Sequence, residues 1–357
     1  MRLRFFAWKE WLLLAVAVAV CGTAVAGVTS TPGLDGAPPA PSSSPAAAVR
    51  PAPARPAVRA RSVLAVTKRR TTVRVLPARG AEPSSVIRRG IPLPVTAESN
   101  GFLRVITPCE VDGWVAKNDL VLHARGTRRP GSLRDATIVV DPGHGGLEPG
   151  AVGKGGLPEK TVNLDIASRL QILLRPARVF MTRQDDYTAA LGYRTAIATA
   201  VGANLFVSVH NNASPDGPSE HPGTETYYQL KSPDSRRIAG LAYEEVRRAL
   251  ERFHVSWVSQ DDAGAKYRMN ERGIDYYFVL RHSTIPAVLV EAAYISNPPE
   301  EALLRREDVK DLMARALARA INRYITTDDP GSGFITKPLP RVSGPRSQTP
   351  PRCVDPR

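Results

Sequence analysis

Three short apolar runs in this chain each end on a group able to bind a metal or move a proton. TIVVD (residues 137–141) runs into Pro142 and the glycines around His144. LFVSVH (residues 205–210) ends on a histidine, and AVLVE (residues 287–291) ends on a carboxylate. Runs rich in β-branched apolar residues read as buried strands. After the first, Pro142 removes a ladder donor, and Gly143, Gly145 and Gly146 admit backbone angles that other residues resist. The strand therefore stops abruptly and presents His144. If the three runs are parallel neighbours, His144, His210 and Glu291 meet at one carboxyl edge, where open α/β sheets bind ligands. For the first run alone, a tight turn with an incidental histidine is the competing reading.

The surrounding pattern supports such a sheet. Residues 161–174 are amphipathic, with Val162, Leu164, Ile166, Leu170, Ile172 and Leu173 set against Asn163, Asp165, Ser168 and Arg169. Helices are also predicted over 187–201, 235–253 and most of 300–326. Strands are predicted over 178–182 and 223–230. This alternation predicts an α/β domain over 135–327, a mostly parallel sheet with helices on both faces.

Residues 62–123 read differently. Short apolar runs at 72–75, 91–95, 102–106 and 113–116 are punctuated by Pro77, Gly80, Gly90, Asn100-Gly101 and Asp112-Gly113, which predicts a small all-β barrel. The succession VRVLP, RRGIPLPV, NGFLRVIT and DGWVAKNDLV, with Trp114, resembles a bacterial SH3-like domain. Domains of that kind either contact cell-wall peptides or brace a catalytic domain.

Charge and flanking segments set the compartment. Of a formal net charge of +14, eight units lie in residues 1–70, which hold ten Lys/Arg and two acids. The basicity thus belongs to an arm rather than to a nucleic-acid-binding face, and no nucleic-acid partner is expected. Residues 1–26 have the three parts of an export signal. Arg2, Arg4 and Lys9 precede an apolar core, and Ala24-Val25-Ala26 offers a cleavage site. An uncleaved N-terminal anchor is the alternative, and only then would the membrane be a partner. Either way the body is expected to be exported, to the periplasm or cell wall. Residues 27–61 read as a Pro/Ala-rich linker, 124–134 as a connector and 328–357 as a disordered tail. Cys21 lies in the signal. Cys109 and Cys353 are too few for a disulfide framework or a thiolate-rich zinc site.

A fourth candidate, Glu159, stands just before the helix over 161–174. A first-turn Glu commonly serves only the helix dipole. Beside two neutral imidazoles it completes two His and one Glu with an open fourth position, a recurrent catalytic zinc arrangement. Here the motifs carry a resemblance. DPGHGG, the EK before VNLDIA, Thr182-Arg183, ALGYRTAIATAVGANLFVS, SVHNNA and VLVEAAYISNP together resemble the zinc-dependent N-acetylmuramoyl-L-alanine amidases over about 190 residues. The resemblance implies that His144, Glu159 and His210 bind Zn2+, that Glu291 is the catalytic carboxylate and that peptidoglycan is the substrate. It leaves room for a protein activator. Asp141 is expected to orient a ligand imidazole or simply to form the turn. Asn211 and Asn212 are expected to contact substrate amides or to close the loop. The family usually carries a small residue where Asn211 stands. His221 reads as a loop histidine, and His123, His254 and His282 as structural or exposed.

Three rivals remain from sequence: a zinc peptidase cutting within the stem peptide, a non-catalytic wall-binding protein of the same fold, and a polyanion binder resting on charge alone.

Overall fold

The computed structural model describes residues 63–126, 130–214, 223–253, 263–336 and 352–357, together with 339, 341 and 343. The export signal, its anchor alternative and the linker lie outside these residues. Among the described residues no helix is long and apolar enough to cross a membrane.

The chain first builds an antiparallel sheet of seven strands: β1 (Val63–Thr67), β2 (Thr71–Arg74), β3 (Pro83–Ile87), β4 (Pro92–Ser99), β5 (Phe102–Ile106), β6 (Asp112–Ala116) and β7 (Leu120–His123). Their spatial order is β3-β2-β6-β5-β4-β1-β7. Alternation sorts each strand: Leu103 and Val105 are buried, while Arg104 between them pairs with exposed Asp112. Leu64, Val73, Leu93 and Val115 complete this core.

An α/β domain follows. Its elements are β8 (Thr137–Pro142), α1 (Glu159–Leu173), β9 (Arg178–Met181), α2 (Leu191–Val201), β10 (Leu205–Asn212), β11 (Glu225–Tyr228), α3 (Pro233–Leu250), β12 (Gly264–Lys266), α4 (Phe278–His282), β13 (Ala287–Tyr294), α5 (Pro298–Leu304) and α6 (Glu307–Thr326). The six-stranded sheet runs β12-β11-β13-β10-β8-β9, parallel throughout except between β11 and β13. Both faces of its central strands are covered. Ile138, Val140, Val207, Val209, Val288 and Val290 join one core, packed by α1, α3 and α6. Val139, Phe206 and Leu289 point into the other, under α2 and α4. Two covered faces explain why these strands read as nearly continuous apolar runs.

The sheet order reverses beside β8. From β8 the chain crosses to β9 on one side, then returns to β10 on the other. The crevice at such a reversal, outside the carboxyl ends, is where ligands of open α/β sheets bind.

Two expectations are corrected. Residues 187–190 form a bend and irregular chain rather than helix, which begins at Leu191: the Ala190 amide donates to Pro108 O (2.8 Å) and the Tyr187 hydroxyl to Thr182 O (3.2 Å). The segment read as a disordered tail is pinned wherever it is described. Ile335 donates to Ala265 O (2.9 Å), and the Arg236 guanidinium lies 3.6 Å over the Phe334 ring. Cys353 forms a disulfide with Cys109, and buried Asp355 accepts from the Cys109 amide (2.9 Å) and the Ser85 hydroxyl (2.7 Å). A Pro/Ser/Gly-rich segment has no core of its own, but here it borrows surface from two sheets.

Candidate active site

Strand register assembles the site. Pro142 of β8 lies beside Val209 of β10, and His210 lies beside Glu291 of β13. His144 follows β8 in the loop, with a positive φ of 60°. His210 packs over Gly143 so closely that a Cβ at Gly143 would lie 2.1 Å from the imidazole. Only glycine fits beneath that ring. Glu159 enters from the first residue of α1.

These side chains converge. His144 Nε2 lies 3.1 Å from Glu159 Oε2, and His210 Nδ1 lies 2.9 Å from Glu159 Oε1. The two imidazoles stand edge to face at 4.9 Å. One donor atom from each of His144, Glu159 and His210 falls within 4.8 Å of the others. Donors sharing one tetrahedral zinc at ~2.0–2.2 Å would be separated by distances of this order. The donor set and spacing therefore fit zinc.

Glu159 is further gripped by Ala151 N (3.0 Å), Asn163 Nδ2 (3.0 Å) and Asn211 N (3.1 Å). Burial pushes its carboxyl up, but hydrogen bonds from the two imidazoles overcome this and hold it well below the usual range. Burial also pushes His210 down, with Glu159 opposing, which favours a neutral imidazole.

Glu291 faces the same pocket, a cleft of about 470 Å³ lined also by His144, His210, Arg194, Tyr276 and Tyr277. Its Oε2 is buried without a hydrogen-bond partner. Burial first, then the negative fields of Glu159 and Glu225, raise its pKa well above the carboxylate range, with Lys266 opposing. A larger hollow of about 930 Å³ opens at the amino ends of the strands, near Asn204 and Pro286, away from these groups.

The side chains of three expected residues are taken up by protein partners. Asp141 does not reach an imidazole. It accepts from Thr182 Oγ1 (2.5 Å), Ser208 Oγ (2.7 Å) and Arg194 Nη1 (2.7 Å), and so anchors the loop. Asn211 is 1% exposed and donates through Nδ2 to Asn163 Oδ1 (2.9 Å), behind Glu159. Asn212 donates to Glu225 Oε2 (3.0 Å). Neither asparagine lines the pocket. His123 meets Phe180 edge on and His282 stacks on Phe278, both as packing groups. His221 and His254 lie outside the described residues.

Sequence reasoning missed the support around Glu291. Glu225 lies opposite it in register and accepts from Lys266 Nζ (2.6 Å), Tyr227 OH (2.6 Å) and Tyr294 OH (2.8 Å). An acid in the buried run TETYY carried the same signal as Glu291.

With this geometry in view, the chain's relatives can be placed. Residues 138–323, more than half of the chain, match the N-acetylmuramoyl-L-alanine amidase family, and the chain belongs to it. It is 31% identical over 280 residues to the N-acetylmuramoyl-L-alanine amidase AmiC of Neisseria meningitidis, covering 66% of this chain and 62% of that protein. To LytC of Bacillus subtilis it is 34% identical over 187 residues, covering 51% of this chain and 34% of the relative. The chain thus spans less than two thirds of either. The solved catalytic domain of CwlV from Bacillus (Paenibacillus) polymyxa is 34% identical, covering 54% of this chain and 99% of that one, with a TM-score of 0.46.

Proposed function

We propose that the chain is a zinc-dependent peptidoglycan hydrolase. It cleaves the amide between the lactyl group of N-acetylmuramic acid and the first L-alanine of the stem peptide. The observation that carries this reading is the His144–Glu159–His210 cluster, whose two histidines line one pocket together with Glu291, a buried carboxylate with Oε2 left without a hydrogen-bond partner.

His144, Glu159 and His210 would hold the ion. Bound there, zinc supplies a Lewis acid that polarises the scissile carbonyl and acidifies a water. Glu291 would take a proton from the attacking water and deliver it to the amine as the amide bond breaks. Its raised pKa makes the carboxylate a stronger proton acceptor than an exposed one. Tyr276, Tyr277 and Phe278 wall the cleft with apolar surface and keep bulk water from the reacting amide.

The same reading makes the chain an exported wall enzyme, in the periplasm or cell wall. It assigns the N-terminal sheet as an SH3-like module that contacts wall or braces the catalytic domain. A protein activator remains compatible with the site, and nucleic acid has no part in it.

The test is digestion of purified peptidoglycan by the zinc-loaded full chain, with Glu291→Gln and a chelated sample alongside, and products read by mass spectrometry. Free stem peptides beginning at L-alanine, absent from both controls, are the expected result. Cleavage inside the stem would move the assignment to a peptidase. Zinc binding without any release would favour the wall-binding alternative.

A further inference from the structure

The loop that carries His144 makes few ladder bonds of its own, yet its carbonyls are all occupied. Pro142 O accepts from Arg183 Nε (3.0 Å) and Arg194 Nη1 (2.8 Å). Gly143 O accepts from Arg183 Nη2 (2.9 Å), and His144 O from Arg194 Nη2 (2.8 Å). Gly145 O faces Thr188 Oγ1 (3.4 Å), and Gly146 O accepts from Lys160 Nζ (2.8 Å). Four of five consecutive carbonyls are thus held by cations arriving from three places: the end of β9, α2 and α1.

Both arginines are unusually deep, at 0% exposure for Arg183 and 2% for Arg194. Arg194 forms a buried ion pair with Asp141 (2.7 Å). Arg183 has no carboxylate partner among its hydrogen bonds; all of them go to backbone carbonyls, those of Pro142, Gly143, Lys160 and Asp185. Placing a guanidinium in the interior is costly, and a loop needing only closure could be served by neutral donors. The planar fork suits the task because it reaches two carbonyls at fixed angles. The task itself is visible at His144, whose left-handed backbone is strained for a non-glycine residue and persists only where its surroundings over-determine it.

We infer that Arg183 and Arg194, assisted by Lys160, are positioning residues for metal binding: they fix the 142–146 backbone in the one arrangement that brings His144 to Glu159 and His210. None of the three is a ligand. Arg194 acts on the ligand from behind through the His144 carbonyl, and Arg183 acts one and two residues earlier. The inference rests on the metal-dependent reading of the site.

The experiment measures zinc affinity of the full chain by competition with a chromophoric chelator, for wild type, Arg194→Lys, Arg183→Lys and Lys160→Gln. Lysine keeps the charge beside Asp141 and removes only the fork. The expected result is a zinc dissociation constant raised roughly 10- to 100-fold for each arginine variant. The visible absorption of the cobalt-loaded protein should also shift, as the ligand geometry changes. Lys160→Gln should move both readouts in the same direction by less. Circular dichroism of the metal-stripped proteins separates folding from positioning. Folded arginine variants with wild-type affinity and an unchanged cobalt spectrum would overturn the inference, even if their thermal stability fell. If the arginine variants do not fold, half-buried Lys160 decides: wild-type zinc affinity in Lys160→Gln counts against the inference, weakened affinity for it. Failure of wild type itself to bind zinc would instead remove the metal reading on which this rests.

Discussion

Two buried carboxylates at one site have opposite surroundings. Glu159 is 4% exposed and receives three N–H donors besides two imidazoles. Glu291 is 8% exposed, and one of its oxygens receives nothing. The first is held anionic; the second is pushed toward its neutral form, chiefly by burial and then by Glu159 and Glu225. Burial is common to both, so burial does not decide their chemistry. The donors decide it: a carboxylate saturated with donors is a fixed ligand, and one left unsatisfied is free to exchange a proton.

The comparison breaks most sharply by neutralising each acid in turn. Glu291→Gln should retain zinc at near wild-type affinity while turnover falls by about 10²–10⁴. Glu159→Gln should lose zinc itself, by more than the 10- to 100-fold typical of an outer-partner change. Zinc titration and peptidoglycan turnover on the same samples check this. If Glu291→Gln lost its zinc as well, Glu291 would be a ligand and the division of roles would be wrong.

Next in size is the support behind Glu291. Lys266 and Glu225 form an ion pair at 2.6 Å with both side chains 6% exposed. Lys266→Met leaves a buried carboxylate without its counter-ion, which costs about 3–5 kcal/mol. Urea unfolding measures it. The double variant Lys266→Met/Glu225→Gln should recover a good part of the loss, and an equal or greater loss in the double variant would show that the pair is not a unit.

How far the sequence foretold this contrast depends on the element. The ends of β8, β10 and β13 were legible because both faces are buried, so each apolar run stops where its chemistry begins. His144, His210 and Glu291 were found that way. Glu159 needed the company of the histidines, since a Glu at the start of a helix is ordinary. Four strands escaped notice, and three of them, β3, β7 and β12, lie at sheet edges. Edge strands are half-exposed and short, and β3 opens with Pro83, so alternation is weak there. Lys266 sits on β12, which is why the counter-ion of Glu225 was not foreseen. For Asp141, Asn211 and Asn212 the sequence left two readings open, a role at the site or closure of the turn and loop. Spacing put them near the site but could not say which way each side chain points. The Cys109–Cys353 bridge spans 244 residues, and no local pattern reports a contact of that range.

That bridge gives the third prediction. It closes a long loop and secures the C-terminal residues beside Ser85 and Arg88. Cys353→Ser should lower stability by about 2–4 kcal/mol. Zinc affinity should be unchanged, because the bridge touches neither carboxylate. Thermal unfolding with and without reductant checks both parts: reductant should lower the wild-type midpoint toward that of the variant and leave the variant where it is.

The last prediction concerns a third buried acid, which extends the comparison outside the pocket. Glu300 is fully buried near the start of α5, with Oε1 unpartnered. Burial pushes its carboxyl up to about 8, although the amides of Tyr294 and Gly223 pull the other way. It therefore resembles Glu291, but away from the His144–Glu159–His210 cluster. The unfolded chain loses this proton near the ordinary value of 4.5, whereas the folded chain keeps it to about 8. Between those limits the folded state binds more protons, so stability falls as pH rises, by at most about 1.4 kcal/mol per pH unit, and levels off above the upper limit. Glu300→Gln should remove this slope and make the protein relatively more stable at the alkaline end. Denaturant unfolding from pH 5 to pH 9, wild type against variant, reads the difference. Parallel curves would mean that the two backbone donors suffice to keep Glu300 ionised, and that donor count outweighs burial even where one oxygen is left bare.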